Sequence, residues 1–230
     1  VSRRIVVAID GPAGSGKSTT AREVANRLGY LYLDTGAMYR ALGLSLLRSG
    51  RNPDDERQAS ACAREMEIKF DVGEGSQRIL LDGEDVTDLI RTPEVSDAAS
   101  RVAVHPQVRE VLISLQQAMG TKGGIVLEGR DTGTVVFPKA ELKVFLVADV
   151  DERARRRRDE MLARGEDADL RVLVRQIHER DARDEETQLR SGEWPAPDTI
   201  RVDTTGMAIE DQVSQVLSLA RQRSVNTVRR

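Results

Sequence analysis

Eight consecutive residues, Gly11-Pro12-Ala13-Gly14-Ser15-Gly16-Lys17-Ser18, satisfy G-x-x-x-x-G-K-[ST], a spacing that suits the enclosure of a phosphate chain by backbone N–H groups. Side chains on such a loop would hold the ligand off, so glycines at 11, 14 and 16 leave room for close approach. Lys17 reaches β- and γ-phosphates, the Ser18 hydroxyl can ligand Mg²⁺, and Thr19 continues the same turn. The plain alternative is a glycine-rich turn before a helix. Two further clusters carry charge where it is costly. Asp34-Thr35-Gly36-Ala37-Met38-Tyr39-Arg40 offers a carboxylate, a hydroxyl, a ring and a guanidinium within seven residues, with helix capping by Asp34 or Thr35 as the bland reading. Glu128-Gly129-Arg130-Asp131-Thr132-Gly133 offers a second guanidinium, which is either ligand-directed or paired with Asp131 to hold a loop. A third charged stretch contains Arg153 and the run Arg155 to Arg158, which is either a solvated helix face or a set of phosphate-gripping cations.

These clusters need elements to aim them. Ile5 to Ile9 is a continuous apolar run, the signature of a strand buried on both faces, and a helix is predicted over Lys17–Leu28 with Gly29 as its C-cap. Strand and helix signals then alternate: Tyr30–Leu33, a helix over Thr35–Leu47, strands at Gly124–Leu127, Leu142–Val147 and Thr199–Asp203, and an amphipathic helix over Ile209–Arg221. That rhythm is how a parallel sheet with covering helices reads, and ligands of such sheets bind beyond the carboxyl ends of the strands. The three clusters therefore fall at one end of one sheet. Residues 64–95 break the rhythm with two alternating stretches, Glu67–Asp71 and Arg78–Asp82, around a glycine-rich loop, and read as a small inserted β-containing domain.

Bulk properties restrict the function further. With 35 Lys+Arg against 38 Asp+Glu the net charge is -3, and aromatic residues make up 3% of the chain, which disfavours a nucleic-acid coat or a polybasic membrane anchor. No run approaches the roughly 20 apolar residues that span a bilayer. A single cysteine, Cys62, cannot form an internal disulfide, which suits a reducing cytoplasm. The Asn-Lys-x-Asp pattern that reads guanine in switch GTPases is absent.

Taken together the motifs resemble those of the bacterial cytidylate kinase family over nearly the whole chain: Ile-Asp-Gly-Pro-Ala-Gly-Ser-Gly-Lys-Ser at 9–18, Leu-Asp-Thr-Gly-Ala-Met-Tyr-Arg at 33–40, Asp-Gly-Glu-Asp-Val-Thr at 82–87, Glu-Gly-Arg-Asp at 128–131, Gly-Thr-Val-Val-Phe-Pro at 133–138 and Glu-Arg-Asp at 179–181. The resemblance implies an α/β fold of the P-loop nucleoside monophosphate kinase type, with a five-stranded parallel sheet and flanking helices. It divides the chain into a core (1–63, 96–150, 191–230), an inserted monophosphate-binding domain (64–95) and a helical lid (151–190). It implies ATP and Mg²⁺ at residues 11–19, with Ser18 toward the metal, and transfer to CMP or dCMP; apart from the resemblance, a cytoplasmic monomer is expected. The acceptor pocket would draw on Thr35, Tyr39, Arg40, Ser100, Arg109, Arg130, Asp131, Arg180 and Asp184. Ser100 and Arg109 would face the base, Asp184 and Arg180 the ribose or phosphate, and Arg40 and Arg130 the acceptor phosphate. Lys17, Arg130, Asp131 and lid arginines from Arg153, Arg157 and Arg180 would surround the transferring group. Where many family members carry a further arginine after the aspartate at 184, this chain has Glu185-Glu186-Thr187, and Arg190 is the next arginine.

Overall fold

A computed structural model describes residues 4–72, 77–163, 165–189 and 194–226. The chain divides into two compact units, one formed by residues up to Tyr32 and from Lys122 onward, the other by Leu33–Thr121.

The first unit is organised by five strands: β1 (Val6–Asp10), β2 (Leu31–Asp34), β6 (Ile125–Gly129), β7 (Leu142–Val147) and β8 (Ile200–Asp203), ordered β2-β6-β1-β7-β8. β1 lies at the centre and pairs in parallel with β6 and β7, so that Asp10 stands beside Gly129 on one side and Phe145 on the other. The apolar run read as a doubly buried strand is buried as expected, with Ile5, Val7 and Ile9 fully enclosed. Helices α1 (Lys17–Leu28) and α8 (Ile209–Asn226) contribute Ala21, Val24, Ala25, Val213, Val216 and Ala220 to the same core cluster as Val126, Leu142, Val144 and Val202. Full burial of each large aliphatic side chain contributes roughly 1.5–3 kcal/mol. α1 stops at Gly29, in the left-handed conformation at φ 64°, with its N–H returning to Ala25 and Asn26 carbonyls. Between β7 and β8 the chain forms a helical pair, α6 (Val150–Leu162) and α7 (Leu170–Leu189), which shares a small core of Ala154, Leu173 and Ile177.

In the second unit, α2 (Thr35–Arg48) packs along α4 (Pro93–Val102), while α3 (Glu56–Glu65) packs on α5 (Pro106–Gly120). The α2–α4 approach is close at Gly43, where a Cβ would lie 3.1 Å from both the Ala99 nitrogen and the Val95 carbonyl oxygen. Strands β3 (Ile68–Val72), β4 (Gln77–Leu81) and the short β5 (Glu84–Asp85) form an antiparallel sheet, with Ile68 opposite Leu81 and Phe70 opposite Ile79. Ile79 and Leu81 are buried, which is the alternation expected of a half-covered hairpin. The glycine-rich loop between β3 and β4 lies outside the described residues.

Candidate active site

β1 delivers the chain into the glycine-rich segment and α1 begins at Lys17, so residues 11–16 form the turn that opens a helix. Gly11 has φ 146° and Gly16 φ 90°. A Cβ on Gly11 would come 2.1 Å from the Leu146 carbonyl oxygen, which belongs to a central strand and has no freedom to withdraw. Gly11→Ala is therefore expected to cost about 3 kcal/mol or more in urea denaturation, or to abolish folding. A loss below 1 kcal/mol would show that this loop is not held as described.

Every carbonyl from Pro12 to Gly16 is occupied by a donor. Lys17 Nζ donates to Pro12 at 2.7 Å, Arg153 Nη1 to Ala13 at 3.2 Å, Arg156 Nη1 to Gly14 at 3.5 Å, Thr204 Oγ1 to Ser15 at 3.0 Å, and the Thr20 N–H to Gly16 at 3.0 Å. None of these oxygens is left to repel an incoming anion. Behind the loop, Gln212 of α8 is buried, accepts from Thr20 Oγ1 and donates to the Met207 carbonyl. Ser15 Oγ is buried without a hydrogen-bond partner among the described residues. A buried hydroxyl left open in a cradle of this kind matches what a phosphate oxygen requires.

Lys17 is buried, and its pKa is pushed down to about 7. Desolvation is the largest cause, followed by the positive charge of Arg130; Glu128 and Asp184 act in the opposite direction. Its ammonium is thus poorly neutralised by the protein, as expected of a group whose natural partner is an external polyanion.

Arg130 follows β6, and its Nε donates to Asp184 of α7 at 2.6 Å. Burial works against the guanidinium charge, but the charge and hydrogen bond of Asp184 outweigh it and hold the Arg130 pKa above its ordinary value. Burial likewise opposes ionisation of Asp184, and Arg130, Arg180 and Lys17 together reverse this and lower its pKa. Glu128 is buried and accepts from the Tyr32 hydroxyl at 2.9 Å. Asp131 is buried and Thr132 fully so, at the start of a π-helical turn over Thr132–Val136. The Trp194 indole N–H donates to the Arg130 carbonyl, and its ring meets Phe145 edge-on with centroids 5.0 Å apart.

Among the lid arginines expected from the sequence, Arg153 is buried. Its fork holds Asp181 of α7 at 3.1 and 2.7 Å while Nε donates to the Ala148 carbonyl. Arg180 lies near enough to Lys17 and Asp184 to shift both. Arg157 is exposed. Thr187 turns its hydroxyl back to the Arg183 carbonyl at 2.9 Å, and Arg190 lies outside the described residues.

In the second unit, Thr35, Tyr39 and Arg40 lie on the first two turns of α2, Ser100 on α4 and Arg109 on α5, and α2 packs against both of the others. Asp34 caps α2 by accepting from the Ala37 N–H at 2.9 Å, and its other oxygen takes Arg40 Nη2 at 2.7 Å. The capping reading is therefore correct, and it also accounts for the position of Arg40. Arg40 Nε is buried without a hydrogen-bond partner among the described residues.

Several residues here had no role in the sequence reading: Asp10, Asp181, Trp194, Thr204 and Gln212. For Asp10 a signal existed, since a carboxylate closing a continuous apolar strand needs partners. Its oxygens accept from the N–H and hydroxyl of Thr132 and from the Gly133 N–H. Desolvation nevertheless dominates these bonds and pushes its pKa up to about 6.

Comparisons with known proteins point the same way as the geometry. Residues 7–222 match the family model for cytidylate kinase. The chain is 45% identical over 223 residues to the cytidylate kinase of Syntrophotalea carbinolica, spanning 97% of this chain and 94% of that one. It is 46% identical over 226 residues to the cytidylate kinase of Listeria innocua, spanning 98% and 100%. Among solved structures, a gluconokinase from Sinorhizobium meliloti aligns with TM-score 0.52 over 99% of this chain and 98% of its own at 13% identity, which is a likeness of fold alone. The family match takes in the phosphate loop, the Arg130 segment and both helices of the α6–α7 pair, and the chain belongs to the cytidylate kinase family.

Proposed function

We propose that this protein transfers the γ-phosphoryl group of ATP to CMP or dCMP. The observation that carries the reading is the juxtaposition, within one unit, of a phosphate loop with satisfied carbonyls and a cluster in which the charges of Arg130, Glu128, Arg180 and Asp184 all act on Lys17. Phosphoryl transfer between two anions needs alignment, charge neutralisation and exclusion of water rather than covalent catalysis. Lys17 and the loop N–H groups hold the donor. Arg130 holds the acceptor phosphate in line with it, and Arg40, on α2 of the other unit, is likewise a phosphate-binding residue. Arg180, on the 151–190 lid, neutralises the transferring group and helps exclude water, Arg153 ties the two lid helices to the phosphate loop through Asp181 and the Ala13 carbonyl, and Arg157 supplies an exposed cation on the same helix as Arg153. Thr35, Tyr39, Ser100 and Arg109 recognise the nucleoside, and Asp184 positions Arg130 through the ion pair between them. Residues 64–95 enlarge the acceptor side. The acceptor phosphate is already anionic, so no general base is required.

Ser18, an exposed residue directly after Lys17, offers the hydroxyl through which Mg²⁺ would be held. Ser18 together with donor phosphate oxygens gives the hard oxygen environment that Mg²⁺ prefers, and the bound ion would offset charge on the phosphates. Among the described residues no helix is long and apolar enough to cross a membrane. We place the protein in the cytoplasm as a monomer, which sedimentation at 25.4 kDa rather than a multiple would support.

ADP release should be measured with ATP and Mg²⁺ in the presence of CMP, dCMP, UMP, AMP or no acceptor. Stimulation by CMP and dCMP at least ~10-fold above the others supports the reading, tenfold being about 1.4 kcal/mol of discrimination. Preference for UMP or AMP reassigns the acceptor, and turnover unaffected by any monophosphate leaves only a nucleotide-phosphate site.

A further inference from the structure

The phosphate loop and the loop bearing Arg130 are joined through one buried carboxylate. Asp10 is the last residue of β1, and the next residue, Gly11, opens the phosphate loop. Its Oδ1 accepts from the Thr132 N–H at 3.0 Å and from Thr132 Oγ1 at 2.8 Å, and its Oδ2 accepts from the Gly133 N–H at 2.9 Å. Asp10 and Thr132 are both buried, at 6% and 0% exposure, so these bonds do not compete with solvent. Thr132 stands two residues after Arg130 and opens the turn that closes this loop. Strand pairing fixes the Asp10 backbone between Gly129 and Phe145, which leaves its side chain little latitude.

We infer that Asp10 is a positioning residue for phosphoryl transfer, a rigid joint that sets the distance and angle between the donor-binding loop and Arg130. Enclosing a carboxylate in a core is costly, and a well-packed apolar side chain of similar size would serve stability as well or better. What a carboxylate adds is two acceptor atoms at fixed separation, enough to hold three donors from two successive residues. An asparagine at this position keeps the shape but turns an N–H₂ toward a donor, which releases one side of the joint. In-line transfer is sensitive to displacements of about 1 Å, which cost on the order of 10²-fold, so a loosened joint appears in the rate before it appears in binding.

This inference rests on the reading that Arg130 holds the acceptor phosphate, and the experiment separates the two. Steady-state kinetics with ATP and CMP should be compared for wild type, Asp10→Asn and Thr132→Val, with circular dichroism to confirm folding. Asp10→Asn is expected to lower kcat on the order of 10–100-fold with KM for ATP and for CMP each within about threefold of wild type. Thr132→Val deletes only the hydroxyl donor, leaves both N–H bonds, and should lower kcat by roughly 3- to 5-fold in the same pattern. If Asp10→Asn does not fold, Thr132→Val decides the matter. Unchanged kcat in the folded variants overturns the inference, as does a loss confined to the KM for ATP, which would assign Asp10 to the phosphate loop alone. A wild-type protein that CMP does not stimulate overturns the functional reading and this one with it. A stimulated wild type whose variants keep their kcat overturns only this one.

Discussion

Lys17→Ala is expected to lower kcat/KM for phosphoryl transfer on the order of 10³-fold or more, because it removes the one ammonium that the loop presents to the donor phosphates. In the free protein that ammonium donates to the Pro12 carbonyl and is otherwise poorly compensated, with burial and Arg130 depressing its pKa to about 7. A bound triphosphate reverses the balance and raises that pKa again. Below pH 7 Lys17 is already charged, and its ionisation adds no pH dependence to nucleotide affinity. Above pH 7 the free protein carries neutral lysine, so binding must take up a proton, and affinity should fall by up to about tenfold per pH unit until the pKa of the complex is passed. Titration calorimetry at pH 8 in buffers of different ionisation enthalpy should report uptake of close to one proton per ATP bound. In Lys17→Ala that uptake should vanish. Equal proton uptake by the variant, or an affinity independent of pH between 7 and 9, would show that Lys17 does not meet the phosphates.

Arg130→Lys should lower kcat roughly 10²-fold and raise the KM for the acceptor, with the KM for ATP changed less than threefold. Lysine keeps the charge, so any loss reflects the planar fork. In the free protein Nε of that fork is engaged by Asp184, and the acceptor phosphate needs the remaining N–H groups held in a fixed plane. A compact ammonium can satisfy Asp184 or the phosphate but cannot bridge both with the same geometry. Arg130→Ala would be a poorer experiment, because Asp184 would lose its principal counter-charge in a largely desolvated place and stability would fall together with activity. A rise in the KM for ATP at constant acceptor KM would move Arg130 to the donor side and remove the main support for its assignment.

Much of the fold was legible because its signals are local. The apolar run ending at Ile9, the cap at Gly29 and the uninterrupted Leu142–Val147 strand are properties of neighbouring residues, and each matches the structure to within a residue or so. The helices α3, α4 and α5 were not marked out, although each carries a local start signal: Asp55 as the N-cap of α3, Thr92-Pro93 before α4 and Pro106 in the first turn of α5. The catalytic candidates were legible to the extent that glycine spacing and charge at strand ends are local too. Their partners were not. Arg130 meets Asp184 across 54 residues, Thr204 supports Ser15 across 189, and Asp10 meets Thr132 across 122. Such pairings follow from sheet order and from the return of α8 to the phosphate loop, which no window of sequence contains. Arg156 shows the difficulty most directly. In a run of four arginines every member reads alike, yet helical geometry turns Arg156 inward to the Thr204 carbonyl and Gly14, while Arg155 and Arg157 stay exposed.

The chain contains one tryptophan, and the fold places it where its indole N–H bonds to the backbone of the residue assigned to the acceptor phosphate. When it is excited at wavelengths that tyrosine does not absorb, its emission comes from a single site. The ring packs on Phe145, beside Asp10 at the carboxyl end of the central strands, and any shift of the Arg130 carbonyl changes the polarity its excited state experiences. The protein thus carries a native optical probe of its own catalytic loop, readable in a stopped-flow instrument without labels.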